Sequence, residues 1–338
     1  MKETLATMSA RIGVSKTVIS RVLTGQSKKY RISDETVKKV LAEAQRCNYS
    51  PSLVAQSLRK NRTETIGLLI PSVANPFFAD MASVIIAEAH SRHVTTIVVD
   101  MMEDGSNQDE AVTTVLSRQV DGIIVIPCAE NPTLLEEINR TVVPIVLVDR
   151  YYDEAPLSYV TTNNYKGGLM ATEVLLSNGH KRIACIQGVP DTMPNQMRVR
   201  GYRRAMEDAG LAGNELIVGN EFSTQNGYLE TKLLLGSNPR PTAIFALSNT
   251  ILLGAIKAIR EAGLSIPEDI SVISFDNNKY LDYMVPPIHR ISQPVEDMAK
   301  LASRILFEKI AGVNPEQITR LSLSPMLIPG ASVSACKE

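Results

Sequence analysis

T4-L5-A6-T7-M8-S9-A10-R11-I12-G13-V14-S15-K16-T17-V18-I19-S20-R21-V22-L23-T24-G25 is the stretch on which the reading of this chain turns. Thr4 is placed to cap a short helix running to Arg11, with Leu5, Met8 and Ile12 at helical spacing, and Gly13 breaks it. Ser15 caps a second helix whose apolar residues Val18, Ile19, Val22 and Leu23 fall on one stripe, so Lys16, Thr17, Ser20 and Arg21 project elsewhere. Two short helices joined by a glycine turn make a helix-turn-helix. A third helix starts at Ser33, with Asp34 and Glu35 at its positive end and Val37, Val40, Leu41 and Ala44 at i, i+3, i+4 and i+7, and closes a small core.

The charge distribution singles out the same end of the molecule. The 338 residues carry a net charge of only −1. Residues 1–60, however, hold twelve Lys/Arg against four acids, a balance of +8, so the remainder carries −9. A basic head on an acidic body is the electrostatic footprint of a chain with one end that meets phosphates. In a helix-turn-helix the leading end of the second helix enters the major groove, which places Lys16, Thr17, Ser20 and Arg21 near base edges and Ser15 near a phosphate. The competing reading of these residues is a solvated face of an amphipathic helix.

Working outward, Pro51 stops the third-helix region and Ser52 begins L-V-A-Q-S-L-R (53–59), too short to hold a helix alone in water. From Thr65 the chain alternates short apolar runs with helical stretches: 65–70, 95–100, 122–126, 144–149, 159–162, 182–187, 243–247 and 271–275. Near-continuous Val/Ile/Leu runs separated by helices imply parallel strands buried on both faces, an α/β design of two open sheets. Ligands in such sheets bind at the carboxyl ends of strands. That rule selects N75-P76-F77-F78, D149-R150, S248-N249 and D276-N277, together with M197-R198 at the start of a helix.

The four cysteines, Cys47, Cys128, Cys185 and Cys336, have no C-x-x-C spacing and read as reduced and mostly buried, so neither zinc site nor disulfide framework is expected. His90 and His93, three apart, have no further ligands, and no metal or cofactor is expected. There is no signal-peptide-like segment and no run long enough for a bilayer, so a cytoplasmic protein without membrane contact is expected. G-x-S-x-G, H-E-x-x-H and G-x-x-x-x-G-K-[ST] do not occur, so no catalytic residue is named. The rival reading, an exported sugar-binding protein without regulatory role, lacks its export signal and does not account for the basic head.

The stretch T4 to G25, followed by R31-I32-S33-D34-E35-T36 and Y49-S50-P51-S52-L53-V54-A55-Q56-S57-L58-R59, resembles the N-terminal signature of the LacI/GalR family of bacterial transcription regulators. Thr7, Ser9, Ile12 and Thr24 depart from the usual pattern at packing and capping positions. The resemblance continues to about residue 330. It implies an all-α DNA-binding domain (1–49), a hinge (50–62) and a periplasmic-binding-protein-like sensor of two α/β lobes (63–338). Lobe one would hold about 63–161 and 293–324, lobe two about 162–290 and 326–338. It further implies DNA contacts at Thr4, Ser15, Lys16, Thr17, Ser20, Arg21, Tyr49, Ala55 and Leu58, with Leu58 wedging into the minor groove of a pseudo-palindromic operator.

For the cleft between lobes it implies a small-molecule effector, a sugar or sugar phosphate. Asn75, Phe77 and Phe78 would shape the site, Arg150, Arg198 and Asp276 would bond, and Asn249 and Gln293 would complete the ring. A homodimer would present two heads to the operator, and release of DNA on effector binding is the favoured direction. Thr250 stands where the family commonly has Asp.

Overall fold

A computed structural model describes residues 4–47, 49 and 62–337. The chain separates into two compact units, Met1–Thr63 and Glu64–Glu338.

The first unit is helical. α1 (Leu5–Ile12) is opened by Thr4, whose Oγ1 accepts from the Thr7 amide at 3.2 Å while the Thr7 hydroxyl oxygen accepts from the Thr4 amide at 3.0 Å. Thr7 thus performs the reciprocal capping that a longer acidic side chain often performs. Gly13 ends the helix at φ 67°, a left-handed conformation that a β-carbon would disfavour. α2 (Lys16–Leu23) and α3 (Asp34–Arg46) start at Ser15 and Ser33, each accepting from the amide three residues on. Met8, Ile19, Val22, Val40 and Ala44 form the core, with Val18, Leu23 and Tyr49 packed around it. Glu43 ties the bundle: its carboxylate accepts from Arg46 on its own helix and from Arg11 of α1, each at 2.8 Å. These bonds, Arg46 first, hold its pKa down at about 2 although burial pushes the other way.

The second unit is built from two six-stranded sheets. The first carries β1 (Thr65–Ile70), β2 (Thr95–Asp100), β3 (Gly122–Val125), β4 (Ile145–Val148), β5 (Ser158–Thr162) and β11 (Arg320–Leu323), in the order β11-β5-β4-β3-β1-β2. The second carries β6 (Ile183–Ile186), β7 (Leu216–Val218), β8 (Ala243–Ala246), β9 (Ser271–Phe275), β10 (His289–Ser292) and β12 (Met326–Ile328), in the order β12-β10-β9-β8-β6-β7. All pairings are parallel except β10 with β12. The chain passes from the first sheet to the second after β5, returns after β10, and crosses again between β11 and β12.

The intervening helices are α4 (Pro76–Ser91), α5 (Gln108–Ser117), α6 (Thr133–Thr141), α7 (Asn164–Ser177), α8 (Met193–Asp208), α9 (Thr224–Leu235), α10 (Asn249–Glu261) and α11 (Val295–Ile310). They cover faces whose central strands, such as β3, β4, β6 and β8, are buried along their length. That burial on both faces explains why these strands read as unbroken apolar runs. β2 is the exception among the expected runs: it lies at a sheet edge and leaves Val98 exposed.

α7 and α8 pack backbone to backbone. A β-carbon on Gly168 would lie 2.2 Å from the Arg198 carbonyl oxygen, and one on Gly201 would lie 2.3 Å from that of Tyr165. Cys185 is buried, whereas Cys47, Cys128 and Cys336 are half-buried rather than enclosed, and all four are free thiols. Among the described residues, no helix is long and apolar enough to cross a membrane, and no cluster of His, Cys, Asp and Glu has the makings of a metal site.

Candidate functional site

Two surfaces concentrate the residues singled out by the sequence. On α2, Ile19 and Val22 turn into the small core, which by helical geometry leaves Lys16 and Thr17 exposed and Ser20 and Arg21 half-buried. Ser15 caps the helix through its oxygen, which leaves its hydroxyl able to donate, and the first turn of a helix has amides without intrahelical partners, an arrangement suited to an anion. The Arg21 guanidinium lies 3.7 Å from the centre of the Tyr30 ring, which fixes its planar fork near the helix surface. Thr4 faces solvent beside this helix pair as the cap of α1. The Tyr49 amide donates to the Ala44 carbonyl at 2.9 Å, and the side chain is half-buried against the core. Ala55 and Leu58 lie outside the described residues.

The second surface lies where the two sheets of the sensor face each other with the carboxyl ends of their strands. Asn75 caps α4, its Oδ1 accepting from the Phe77 amide at 3.1 Å, and delivers Phe77 and Phe78, packed edge to face 5.2 Å apart. After β4 come Asp149 and Arg150, and after β9 comes Asp276. The two aspartates occupy matching places: each follows the corresponding strand of its sheet, each has positive φ (64° and 77°), and each amide donates at 2.9 Å to the next strand, to Val160 and Ile291.

Arg198 rises from α8, donating to Asn164 Oδ1 at 2.8 Å and to the Leu247 carbonyl at 2.7 Å, its guanidinium 3.8 Å from the centre of the Phe275 ring. Burial pulls its pKa down. Gln293, just after β10, donates to Asp276 Oδ1 at 2.7 Å, and the Asn249 amide at the start of α10 donates to Asp276 Oδ2 at 3.3 Å.

Asn75, Phe77, Phe78, Arg150, Arg198, Asp276 and Gln293 line one small cavity of about 30 Å³. Asn249 is brought near but does not line it: its side chain is fully buried and donates to Asn278. The remaining wall is made by Asp149 and Ser248, which the strand-end rule selected within D149-R150 and S248-N249, and by Pro194 and Phe222, which it did not. Thr250 helps to build that wall, since its hydroxyl donates to the Phe222 carbonyl at 3.0 Å and meets Ser248 at 2.9 Å. Among the described residues, two buried acceptors at this cavity, Asp149 Oδ1 and Gln293 Oε1, have no hydrogen-bond partner. Burial pushes Asp149 up to about 6, against the pull of Arg198 and Arg150. Unpaired buried acceptors are costly, and a ligand that donates hydroxyl hydrogens relieves that cost.

The same architecture recurs in characterised proteins. Residues 172–333 match the model of the periplasmic binding protein-like domain family. The chain is 32% identical to the ribose operon repressor of Haemophilus influenzae over 337 residues, covering 98% of this chain and 100% of that one. A solved LacI family transcriptional regulator from Enterococcus faecium with bound ribose matches with a TM-score of 0.73 at 27% identity, over 81% of this chain and 100% of the other. A lac repressor dimer bound to operator and the anti-inducer ONPF matches in fold with a TM-score of 0.88 at 24% identity, over 99% of this chain and 100% of that chain. With its capped helix-turn-helix head, its two facing α/β sheets and a relative matched along almost its entire length, the chain belongs to the LacI/GalR family of DNA-binding transcriptional repressors.

Proposed function

We propose that this repressor binds a pseudo-palindromic operator as a cytoplasmic homodimer and is released from it by a sugar or sugar derivative held between its two lobes. The carrying observation is the buried polar ring of Arg198, Asp276, Asp149 and Gln293, which has unpaired acceptors and is walled by Phe77, Phe78 and Phe222. Charged hydrogen-bonding groups grip adjacent hydroxyls while an aromatic face packs against the C–H side of a sugar ring. Ribose in the Enterococcus faecium regulator and the name of the Haemophilus influenzae relative agree with that class.

In this reading Lys16, Thr17, Ser20 and Arg21 approach base edges, Ser15 and Thr4 approach phosphate, and residues 50–62 form the hinge, with Tyr49, Ala55 and Leu58 completing the DNA contacts. The protein acts by binding alone, without a catalytic step. A cavity of about 30 Å³ is far smaller than the few hundred Å³ that a small-molecule site needs. Effector entry therefore requires the lobes to part or their side chains to rearrange. Such a change shifts operator affinity by a coupling of about 1–3 kcal/mol.

The test is a thermal-shift panel of sugars, sugar acids and sugar phosphates on the full-length protein, followed by operator binding with each hit. A sugar that raises the melting temperature and weakens operator binding is expected. A chain that binds its operator but is stabilised by no member of the panel overturns the effector assignment.

A further inference from the structure

Arg150 lies in the cleft wall but is already engaged. Its side chain is 6% exposed, and its Nη2 sits 2.9 Å from the Glu103 carboxylate while Nη1 donates to the Pro127 carbonyl at 3.3 Å. Glu103 is held in place by unusual backbone. Met102 and Glu103 both have positive φ (56° and 54°), and the Glu103 amide donates to the Pro71 carbonyl at 2.7 Å at the end of β1. Two consecutive non-glycine residues in that conformation carry a conformational cost, which the surrounding structure sustains. Its result is to bring a carboxylate to the back of Arg150.

We infer that Glu103 sets the charge class of the effector: by neutralising Arg150 within the protein, it fits the cleft to an uncharged polyol and excludes a phosphorylated or acidic sugar. This rests on the sugar reading above and narrows it.

Two observations support it. First, the charges around the cavity are the buried cations Arg150 and Arg198, the buried carboxylates Asp149 and Asp276, and the half-buried carboxylate of Glu103 behind Arg150, so the fixed charge does not call for an added anion. An incoming phosphate would lose its water and meet no unmatched cation. Second, a larger cavity of about 340 Å³ adjoins the inner one and shares Phe77, Asp276 and Gln293 with it. Among the described residues, its charged lining is Asp80, Asp276, Glu296 and Asp297, with neither Lys nor Arg. Of these, Glu296 is paired with Lys300 on the next turn of α11. A mouth of one sign repels ions of that sign before they reach the inner site.

The experiment compares matched ligands on the full-length protein by thermal shift and calorimetric titration: ribose with ribose 5-phosphate, and glucose with glucose 6-phosphate and gluconate. For the unaltered protein, the neutral member of the responding pair binds about tenfold or more tightly than its anionic partner, the discrimination a like-charge juxtaposition supplies. In Glu103→Gln that preference shrinks or reverses because Arg150 is released to the ligand, and Glu103→Asp restores it in part.

Equal binding of both members by the unaltered protein overturns the role of Glu103, and this readout needs no variant. A folded Glu103→Gln with unchanged preference overturns it as well. If no sugar of either charge binds, the sugar reading itself falls, and the inference falls with it.

Discussion

The head and the cleft present their functional side chains in opposite ways. On α2, Lys16 and Thr17 stand in solvent, and Arg21 is braced by the face of Tyr30. In the cleft, Arg198, Asp276, Arg150 and Gln293 are buried, and each is bonded to another part of the protein. A partner can therefore meet α2 without breaking internal bonds, and most of the gain is electrostatic and salt-dependent. A ligand entering the cleft must replace protein–protein hydrogen bonds with its own. That exchange gives it the means to favour one lobe arrangement over another.

The sharpest break of this comparison is Asp276→Ala. It removes the acceptor of both Gln293 and the Asn249 amide and strips Arg198 of a neighbouring counter-charge. Effector affinity should fall by about 3–5 kcal/mol, a loss of roughly a hundredfold or more. Operator binding without effector should be unchanged in a gel-shift titration. A variant that still responds at ordinary effector concentration would detach the cleft from the response.

On the head, Arg21→Ala should cost about 1–3 kcal/mol on the specific site if the guanidinium reads a base. The same loss on every duplex would make it a phosphate contact instead, and competition against random-sequence DNA separates the two. Gly168→Ala probes the scaffold between these extremes. Its new methyl would drive into the Arg198 carbonyl, costing about 1–3 kcal/mol in urea unfolding and displacing the helix that carries Arg198. Sensor affinity should drop with stability, whereas the head should be untouched.

The smallest effect is the acid response of the head. Glu43 has a folded-state pKa lowered from 4.5 to about 2, so its stabilisation is fully present above its unfolded value and is lost as pH falls through that interval. Amide hydrogen exchange across α1 and α3 in the full chain should accelerate from pH 4.5 downward, and Glu43→Gln should flatten that dependence.

The difference between the regions also governed what could be read in advance. The head was legible almost residue by residue, because Thr4, Gly13, Ser15 and Ser33 are local signals whose partners lie within three or four positions. The central strands were legible as apolar runs for the reason given by their burial. β7, β11 and β12 were not among those runs: they are three or four residues long, lie at sheet edges and show part of their surface to water. β10, near a crossover, is as short and carries His289, Arg290 and Ser292.

In the cleft the strand-end rule selected Asn75, Phe77, Phe78, Asp149, Arg150, Ser248 and Asp276, which line the cavity, whereas Gln293 came only from the family resemblance. Asn249, which it also selected, has its side chain occupied by Asn278, and Phe222, which lines the wall, lay outside its reach. Phe222 enters from a loop after the three-residue β7, so its position depends on the Thr250 hydroxyl and not on any local pattern. Glu103 escaped because its importance lies in a contact with Arg150, 47 positions away.

The paired aspartates at the ends of β4 and β9 carry a final consequence. Both hold their carboxylates over the cleft from a left-handed backbone, which glycine adopts freely and most other residues resist. Replacing either by Gly would ease the main chain while deleting the recognition group. At position 149, where one buried carboxylate oxygen has no partner among the described residues, random searches for heat-tolerant forms should thus return sturdier molecules deaf to their signal, whereas at position 276 the loss of the bonds from Gln293 and Asn249 outweighs the relief. Asn, which also tolerates this geometry, is the substitution that would separate the electrical contribution from the conformational one.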